Sequence, residues 1–192
     1  SNLSSSDFSP HVTVSSLSSA ALSVSEAHRL RLDPIATPDR LLLGPGPSNA
    51  DPRVLEAIAR PPLSHLDPLY LELMNEVQEM LRYAWQTDNR FTIPVSGTGS
   101  AAMEATIANT VEAGETVVVG VIGYFGKRLV DMCGRYGAKV VEVSAPWGEA
   151  LSLETLTQAV EQHKPAVLAL VHAETSTGVL QPLDGIGDLC RA

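Results

Sequence analysis

The sequence is poor in cysteine and in basic residues, and each shortage excludes a class of protein. Cys133 and Cys190 are the only two cysteines, and they lack the paired spacing of a zinc or redox motif. We therefore expect no disulfide framework and interpret both as small hydrophobic residues buried in helices. The 13 lysines and arginines are outnumbered by 22 acidic residues, giving a net charge of −9. This charge argues against nucleic-acid and anionic-membrane partners, which are held by clustered basic residues.

Long apolar runs are also missing, since none approaches the ~20 residues that a membrane-spanning helix needs. The first 25 or so residues are rich in serine and nearly free of basic residues, unlike a secretory signal or a transit peptide. The sequence thus predicts a protein of the cytoplasm with no membrane partner. We expect residues 1–24 to form a flexible extension, because their scattered apolar residues cannot bury enough surface to offset the entropy of ordering.

Apolar runs without a polar face alternate with amphipathic runs through most of the remaining chain. Such alternation predicts a three-layer α/β/α fold with a mainly parallel sheet covered on both sides. We expect an N-terminal segment at residues 25–66, containing a stiff Gly-Pro-Gly-Pro loop, and a main domain at residues 67–192. The predicted helices span 52–59, 68–86, 99–111, 124–136 and 152–163, and the predicted strands span 91–95, 116–121, 139–143 and 166–172. The apolar stripe of the second helix is expected to lie in the core.

The sharpest local motif is the Ser-Gly-Thr-Gly-Ser-Ala-Ala run at residues 96–102, between a predicted strand and a predicted helix. The first turn of a helix offers unpaired backbone N–H groups and the positive end of the helix dipole, which together favour a phosphate. The alternative is that small residues here merely permit tight packing. The run also fits the Gly-x-Gly-x-x-Ala fingerprint of dinucleotide-binding folds. The acidic residue that such folds place about 20 residues later is missing, which disfavours a nicotinamide enzyme.

Two further loops fall at the same predicted edge of the sheet. Gly123, Tyr124, Phe125 and Gly126 put aromatic rings where a planar ligand could stack, although a core aromatic is the favoured interpretation of this motif taken alone. Residues 172–178 read His-Ala-Glu-Thr-Ser-Thr-Gly, and this density of polar side chains after a buried strand favours a ligand site over simple turn formation.

Neither the isolated histidines nor any other catalytic motif identifies a further catalytic site in the sequence. His172 is interpreted as a structural histidine rather than a general base, and His65 is a similar isolated case. The sequence contains no metal-type cluster, no Gly-x-Ser-x-Gly motif and no Walker-type motif.

Four motifs in order resemble the alanine–glyoxylate aminotransferases, which are class V, fold-type I enzymes that use pyridoxal 5′-phosphate (PLP). They are the run at residues 42–49, the run at 96–105, the Gly-Tyr-Phe-Gly turn, and residues 172–178 with Gln181 and Pro182. The resemblance covers residues 40–192 and looks closest to bacterial members.

The resemblance implies a role for six residues. Thr98, Gly99 and Ser100 would hold the PLP phosphate, and Phe125 would stack on the pyridine ring where relatives often have tryptophan. Thr175 would hydrogen-bond near the phenolic oxygen. Gly46 would approach the substrate through its backbone.

The resemblance also implies an aspartate for the pyridine nitrogen and a lysine that binds the cofactor covalently. Lys127, Lys139 and Lys164 do not match the family pattern, so both residues are expected beyond Ala192 and no catalytic residue is assigned here. We accordingly expect this chain alone to be an inactive part of the enzyme.

The implied reaction transfers an amino group from alanine, or serine, to glyoxylate in a homodimer, so an amino acid and a 2-oxo acid are the expected small-molecule partners. Alternatives are a serine–pyruvate aminotransferase, a relative of the cysteine desulfurases, or a non-catalytic PLP-binding chain.

Overall fold

The computed structural model describes residues 36–191. The chain divides into two compact units, 1–43 and 44–192, and the described residues 36–43 of the first unit contain no helix or strand. The predicted extension at residues 1–24 and its boundary lie outside the described residues. The predicted boundary at residue 66 stays a prediction.

The second unit contains six helices and five strands among its described residues. The helices are α1 Pro52–Ile58, α2 Pro68–Trp85, α3 Gly99–Thr110, α4 Tyr124–Arg135, α5 Leu153–His163 and α6 Ile186–Leu189. The strands are β1 Thr116–Val121, β2 Lys139–Ser144, β3 Val167–Ala169, β4 Ala173–Glu174 and β5 Val179–Leu180.

Local sequence explains where several of these helices begin. Asp51 and Asp67 each precede a proline, and their carboxylates accept hydrogen bonds from the backbone N–H two residues later, at 2.9 Å in both cases. Proline at the first helical position has no N–H to leave unpaired and has its φ already fixed near the helical value. The predicted starts of α1 and α2 are therefore confirmed.

The main sheet is parallel, with strand order β2-β1-β3. Val117 of the central strand pairs with Val140 on one side and with Val167 on the other. Strands β4 and β5 form a separate antiparallel pair. Residues 117–121 of β1 are buried, because a central parallel strand is covered on both faces. The lack of a polar face in this run predicted that burial.

Two apolar clusters lie on the two faces of the sheet. On one face Val117, Val119 and Val121 pack with Ile107 of α3 and with Leu129 and Cys133 of α4. The other cluster contains Leu156 of α5, with Ile186 and Leu189 of α6 packed against it. Helices on both faces confirm the predicted three-layer α/β/α fold with a mainly parallel sheet.

The strand predicted at residues 91–95 is not formed, and this prediction is wrong. Phe91 is 82% exposed, and Ile93 and Val95 are 46% and 41% exposed. A strand needs a hydrogen-bonded neighbour, and no strand among residues 36–191 pairs with this segment. The strand predicted at 166–172 is shorter than expected for a related reason, since only Val167–Ala169 pairs with β1.

Two burial predictions are also wrong. The apolar stripe of α2 is not core within the described chain, because no residue of this helix is buried and Leu69, Leu73 and Met80 are exposed. Cys190 is exposed whereas Cys133 is buried. Helix α6 turns Ile186 and Leu189 towards the sheet, and Cys190 follows as its C-terminal cap.

Candidate functional site

The Ser-Gly-Thr-Gly-Ser run forms the entry to helix α3. Thr98 is the N-cap, and its Oγ1 accepts a hydrogen bond from Ala101 N at 3.4 Å. Gly99 and Ser100 are the first two helical residues, so their N–H groups have no acceptor within the helix. Gly97 has a φ of +153°, and a Cβ there would meet Ala101 Cβ at 3.0 Å. Glycine is therefore required at this bend, and the turn offers backbone and hydroxyl donors for an anion.

The aromatic turn lies between β1 and α4. Tyr124 is 52% exposed, Phe125 is half-buried, and their ring centroids are 5.6 Å apart with an interplanar angle of 81°. Gly123 is the N-cap of α4 and makes no side-chain cap bond. This helix start therefore needs a hydrogen-bond acceptor from elsewhere in the chain.

Glu174 supplies that acceptor from strand β4. Its Oε2 accepts hydrogen bonds from the backbone N–H groups of Phe125 and Gly126, at 3.0 and 3.1 Å, and its Oε1 accepts from Ser176 Oγ at 2.6 Å. Ser176 Oγ in turn accepts from the Tyr124 N–H at 2.9 Å. Glu174 is only 1% exposed, so this carboxylate, expected to face a ligand, instead holds the aromatic turn in place.

His172 and Gln181 organise the segment around β4 and β5. His172 Nδ1 lies 2.9 Å from the Gln181 carbonyl oxygen, as expected for a structural histidine. The buried Gln181 amide bonds both the N–H and the carbonyl of Leu151, at 2.9 Å each. The motif thus fixes β4 and β5 to the loop before α5, and Thr175 follows Glu174 in this fixed segment.

One cavity of about 1100 Å³ brings most of the predicted site residues together. It is lined by Thr98, Gly99, Ser100, Phe125 and Thr175, together with apolar residues of α3 and of the β3 region. The cavity therefore joins three loops that are separated by tens of residues in the sequence. Their roles toward a cofactor stay predictions.

The other residues singled out by the sequence do not line this cavity. Gly46 and His65 are exposed, and neither contributes to its wall. Lys127 is paired with Glu142 at 2.5 Å, and Lys139 and Lys164 are also absent from the lining.

The residues at this cavity fit PLP in their chemistry. The N-terminus of α3 with two hydroxyl side chains suits a phosphate, and an aromatic ring at the same cavity suits a flat heterocycle.

Sequence reasoning missed one charged residue, which does not line the cavity but contacts a residue that does. Arg128 Nη1 donates a hydrogen bond to Ser100 Oγ at 2.5 Å. Its position three residues after Phe125 puts both on one face of α4, and this spacing was the available signal. Sequence reasoning gave no indication that α4 would turn that face to the start of α3.

The described part of the chain contains neither a candidate metal site nor a candidate membrane-spanning helix. Residues 36–191 contain no group of His, Cys, Asp and Glu side chains that could hold a metal ion. None of the helices described is long and apolar enough to cross a membrane.

Comparison with known proteins identifies the family. The family model for class-V aminotransferases matches residues 41–192. The alanine–glyoxylate aminotransferase of Drosophila melanogaster is 44% identical over 159 residues, which cover 82% of this chain and 40% of the relative. The (S)-ureidoglycine–glyoxylate transaminase of Bacillus subtilis (strain 168) is 40% identical over 157 residues, covering 82% of this chain and 38% of the relative. The chain thus spans about 40% of the length of the curated relatives it matches.

A solved structure agrees in both sequence and fold. The alanine–glyoxylate aminotransferase from Nostoc sp. is 64% identical and superposes with a TM-score of 0.82, covering 88% of this chain and 45% of that one. The resemblance to alanine–glyoxylate aminotransferases expected from the four motifs is confirmed. The family match, the sequence identities and the shared fold agree, and the chain belongs to the class-V aminotransferase family.

Proposed function

We propose that the complete protein is a PLP-dependent transaminase that moves an amino group from alanine, or serine, to glyoxylate. The products are glycine and pyruvate, or hydroxypyruvate when serine is the donor. The observation that carries the proposal is the single cavity that joins Thr98, Gly99, Ser100, Phe125 and Thr175. Support also comes from relatives named as glyoxylate aminotransferases.

Each of these residues has a proposed task. The N–H groups of Gly99 and Ser100 and the hydroxyl of Thr98 bind the phosphate. The hydroxyl oxygen of Thr98 accepts a hydrogen bond from Ala101 N, and its O–H is free to donate to a phosphate oxygen. Phe125 stacks on the pyridine ring, and Thr175 donates near the phenolic oxygen.

When bound, PLP supplies an electron-withdrawing ring that stabilises negative charge at the substrate α-carbon. No lysine or aspartate lines the cavity, so we propose that the covalent lysine and the aspartate that this chemistry needs come from elsewhere in the complete protein. We keep Gly46 as the proposed backbone contact to the substrate.

The amino donor is the least constrained part of the proposal. The two kinds of relative are both named for glyoxylate, whereas their donors are alanine in one case and (S)-ureidoglycine in the other. We therefore make (S)-ureidoglycine the second candidate donor, supported by a B. subtilis structure that is 39% identical with a TM-score of 0.79.

The test is a donor comparison on the full-length gene product with added PLP. Glycine formed from isotopically labelled glyoxylate is measured by mass spectrometry with L-alanine, L-serine or (S)-ureidoglycine. We expect the fastest glycine formation with L-alanine. Preference for (S)-ureidoglycine would establish the second candidate. PLP binding without turnover on any amino donor would identify a non-catalytic binding protein.

We also infer that the complete protein is a homodimer in the cytoplasm. The exposed apolar stripe of α2, with Leu69, Leu73 and Met80, is a surface that a second copy would cover. Light scattering on the full-length gene product would show twice the monomer mass if this is right. Cell fractionation tests the location.

A further inference from the structure

The Arg128 side chain connects the run at residues 96–102, called the phosphate turn below, to the aromatic turn at residues 123–126. Its Nη1 donates to Ser100 Oγ at 2.5 Å, and its Nη2 donates to Tyr124 Oη at 3.3 Å. The guanidinium carbon lies 5.3 Å from the Tyr124 ring centroid and 5.7 Å from the Phe125 ring centroid. These are cation–π distances, so the guanidinium contacts both elements that the proposed cofactor would touch.

Arg128 forms no ion pair within residues 36–191, whereas the other basic residues of α4 do. On the same helix, Lys127 pairs with Glu142 at 2.5 Å and Arg135 pairs with Asp131 at 2.8 Å. Among residues 36–191 no carboxylate forms an ion pair with Arg128, although this residue is half-buried. A half-buried cation without an anionic partner is costly unless an anion joins it.

A bound phosphate would be that anion. The run at residues 96–102 contains no lysine or arginine, and the whole chain carries a net charge of −9. Only uncharged donors, the backbone N–H groups and the hydroxyls of Thr98 and Ser100, would therefore hold a dianion in an acidic chain. The Arg128 guanidinium contacts the Ser100 hydroxyl of this run, and its positive charge would offset that repulsion.

We propose that Arg128 is a positioning residue for the cofactor phosphate, acting through Ser100. By donating to Ser100 Oγ, the guanidinium occupies the acceptor side of this oxygen, so that the Ser100 O–H is directed to a phosphate oxygen. Its charge stabilises the bound phosphate over the short distance that remains. This inference rests on the proposed PLP-binding function and adds a residue to it.

The test compares two ligands that differ only in the phosphate. Dissociation constants of PLP and of pyridoxal are measured by absorbance on the apo form of the full-length gene product and its variants. We expect Arg128→Gln to weaken PLP binding by about tenfold or more, as for one charge-assisted hydrogen bond. Binding of pyridoxal should change by less than about twofold, since a ligand without phosphate gains nothing from this charge. Arg128→Lys, which keeps the charge, should lose less than Arg128→Gln.

Two controls separate this role from a structural one. Lys127→Gln removes one positive charge from the adjacent position, where the ammonium is directed to Glu142, and should leave PLP binding unchanged. In a Ser100→Ala background, Arg128→Gln should weaken PLP binding less than in the wild type, because its main contact is already lost. Equal losses for PLP and pyridoxal, or no loss for either, would overturn the proposal.

Inorganic phosphate distinguishes this proposal from the proposed function. A wild-type protein that binds no PLP would overturn the cofactor assignment, and phosphate binding followed by ³¹P NMR would then decide on Arg128 alone. Weaker phosphate binding in Arg128→Gln than in Lys127→Gln supports the anion role. Equal binding in the two variants, or none in the wild type, rejects it.

Discussion

Glu174 Oε2 accepts a hydrogen bond from the backbone N–H of Phe125 at 3.0 Å, across 49 residues of sequence. The same oxygen accepts from the N–H of Gly126, so a buried carboxylate from β4 serves as the N-terminal cap of α4. A negative charge at this end of a helix is favourable because the helix dipole is positive there. The Phe125 ring, which we propose stacks on the cofactor, is thus positioned from strand β4.

Replacing Glu174 by alanine should destabilise the protein by about 3 kcal/mol, since the buried N–H of Gly126 and the part-buried donors of Phe125 and Ser176 lose this acceptor. Glu174→Gln should cost less, because one carbonyl oxygen remains. Urea unfolding followed by circular dichroism measures both variants.

Glu161 offers a matched control because it is an exposed glutamate on α5. Glu161→Ala should change the free energy of unfolding by less than about 0.5 kcal/mol. Similar losses for the two alanine variants would contradict the capping role of Glu174.

Two glycines of helix α4 should respond in opposite directions to alanine. A Cβ at Gly126 would lie 2.9 Å from Val121 Cα and 3.1 Å from the Gly120 carbonyl oxygen, and neither backbone atom can move easily. Gly126→Ala should therefore cost about 2 kcal/mol through overpacking. At Gly134 a Cβ meets nothing within 4 Å, so Gly134→Ala should stabilise the helix by about 0.5 kcal/mol.

Thermal unfolding of the two glycine variants is the measurement. Since both lie in one helix, the intrinsic helix propensity gained is similar and the difference reports the contact with β1. A stable Gly126→Ala protein would show that α4 can move away from the sheet without loss.

Glu142 should contribute an acid-sensitive part of the stability. Hydrogen bonds from Lys127, first, and from Ser144 hold the pKa of this carboxyl below the ordinary value for glutamate. A pKa lowered by folding gives stability that is fully present above the unfolded value and is lost as the pH falls through the folded value. Unfolding free energies are measured from about pH 6 down to about pH 3, a range that includes the ordinary pKa of glutamate. They should fall more steeply with decreasing pH for the wild type than for Glu142→Gln. Parallel curves would contradict this.

The two cysteines should differ strongly in reactivity towards a thiol reagent. Cys133 is fully buried, and burial raises the pKa of its thiol, so little thiolate forms at neutral pH. Cys190 is exposed and should react first. Mass spectrometry after a short exposure to iodoacetamide should find one label at Cys190. Labelling of Cys133 should appear only when urea is added, and early labelling of Cys133 would contradict its burial.

Local sequence determined the elements whose signals are complete within a few residues. Asp51 and Asp67 before proline set the starts of α1 and α2, and Thr98 set the start of α3. An apolar run without a polar face identified β1 as a central buried strand. The sequence also predicted that the run at residues 96–102 and the Gly-Tyr-Phe-Gly turn lie close together, and residues of both line one cavity, although the strand expected before the first of them is not formed.

Tertiary structure decided what depends on a distant partner. The run at residues 91–95 has strand composition but no neighbouring strand among the described residues, so it stays irregular. The polar character of Glu174 predicted a ligand, whereas the helix end that it caps lies 48 residues earlier. The contact between Arg128 and Ser100 spans 28 residues and requires α4 to pack beside α3. Periodicity and capping describe a single element, whereas these roles depend on which elements the folded core brings together.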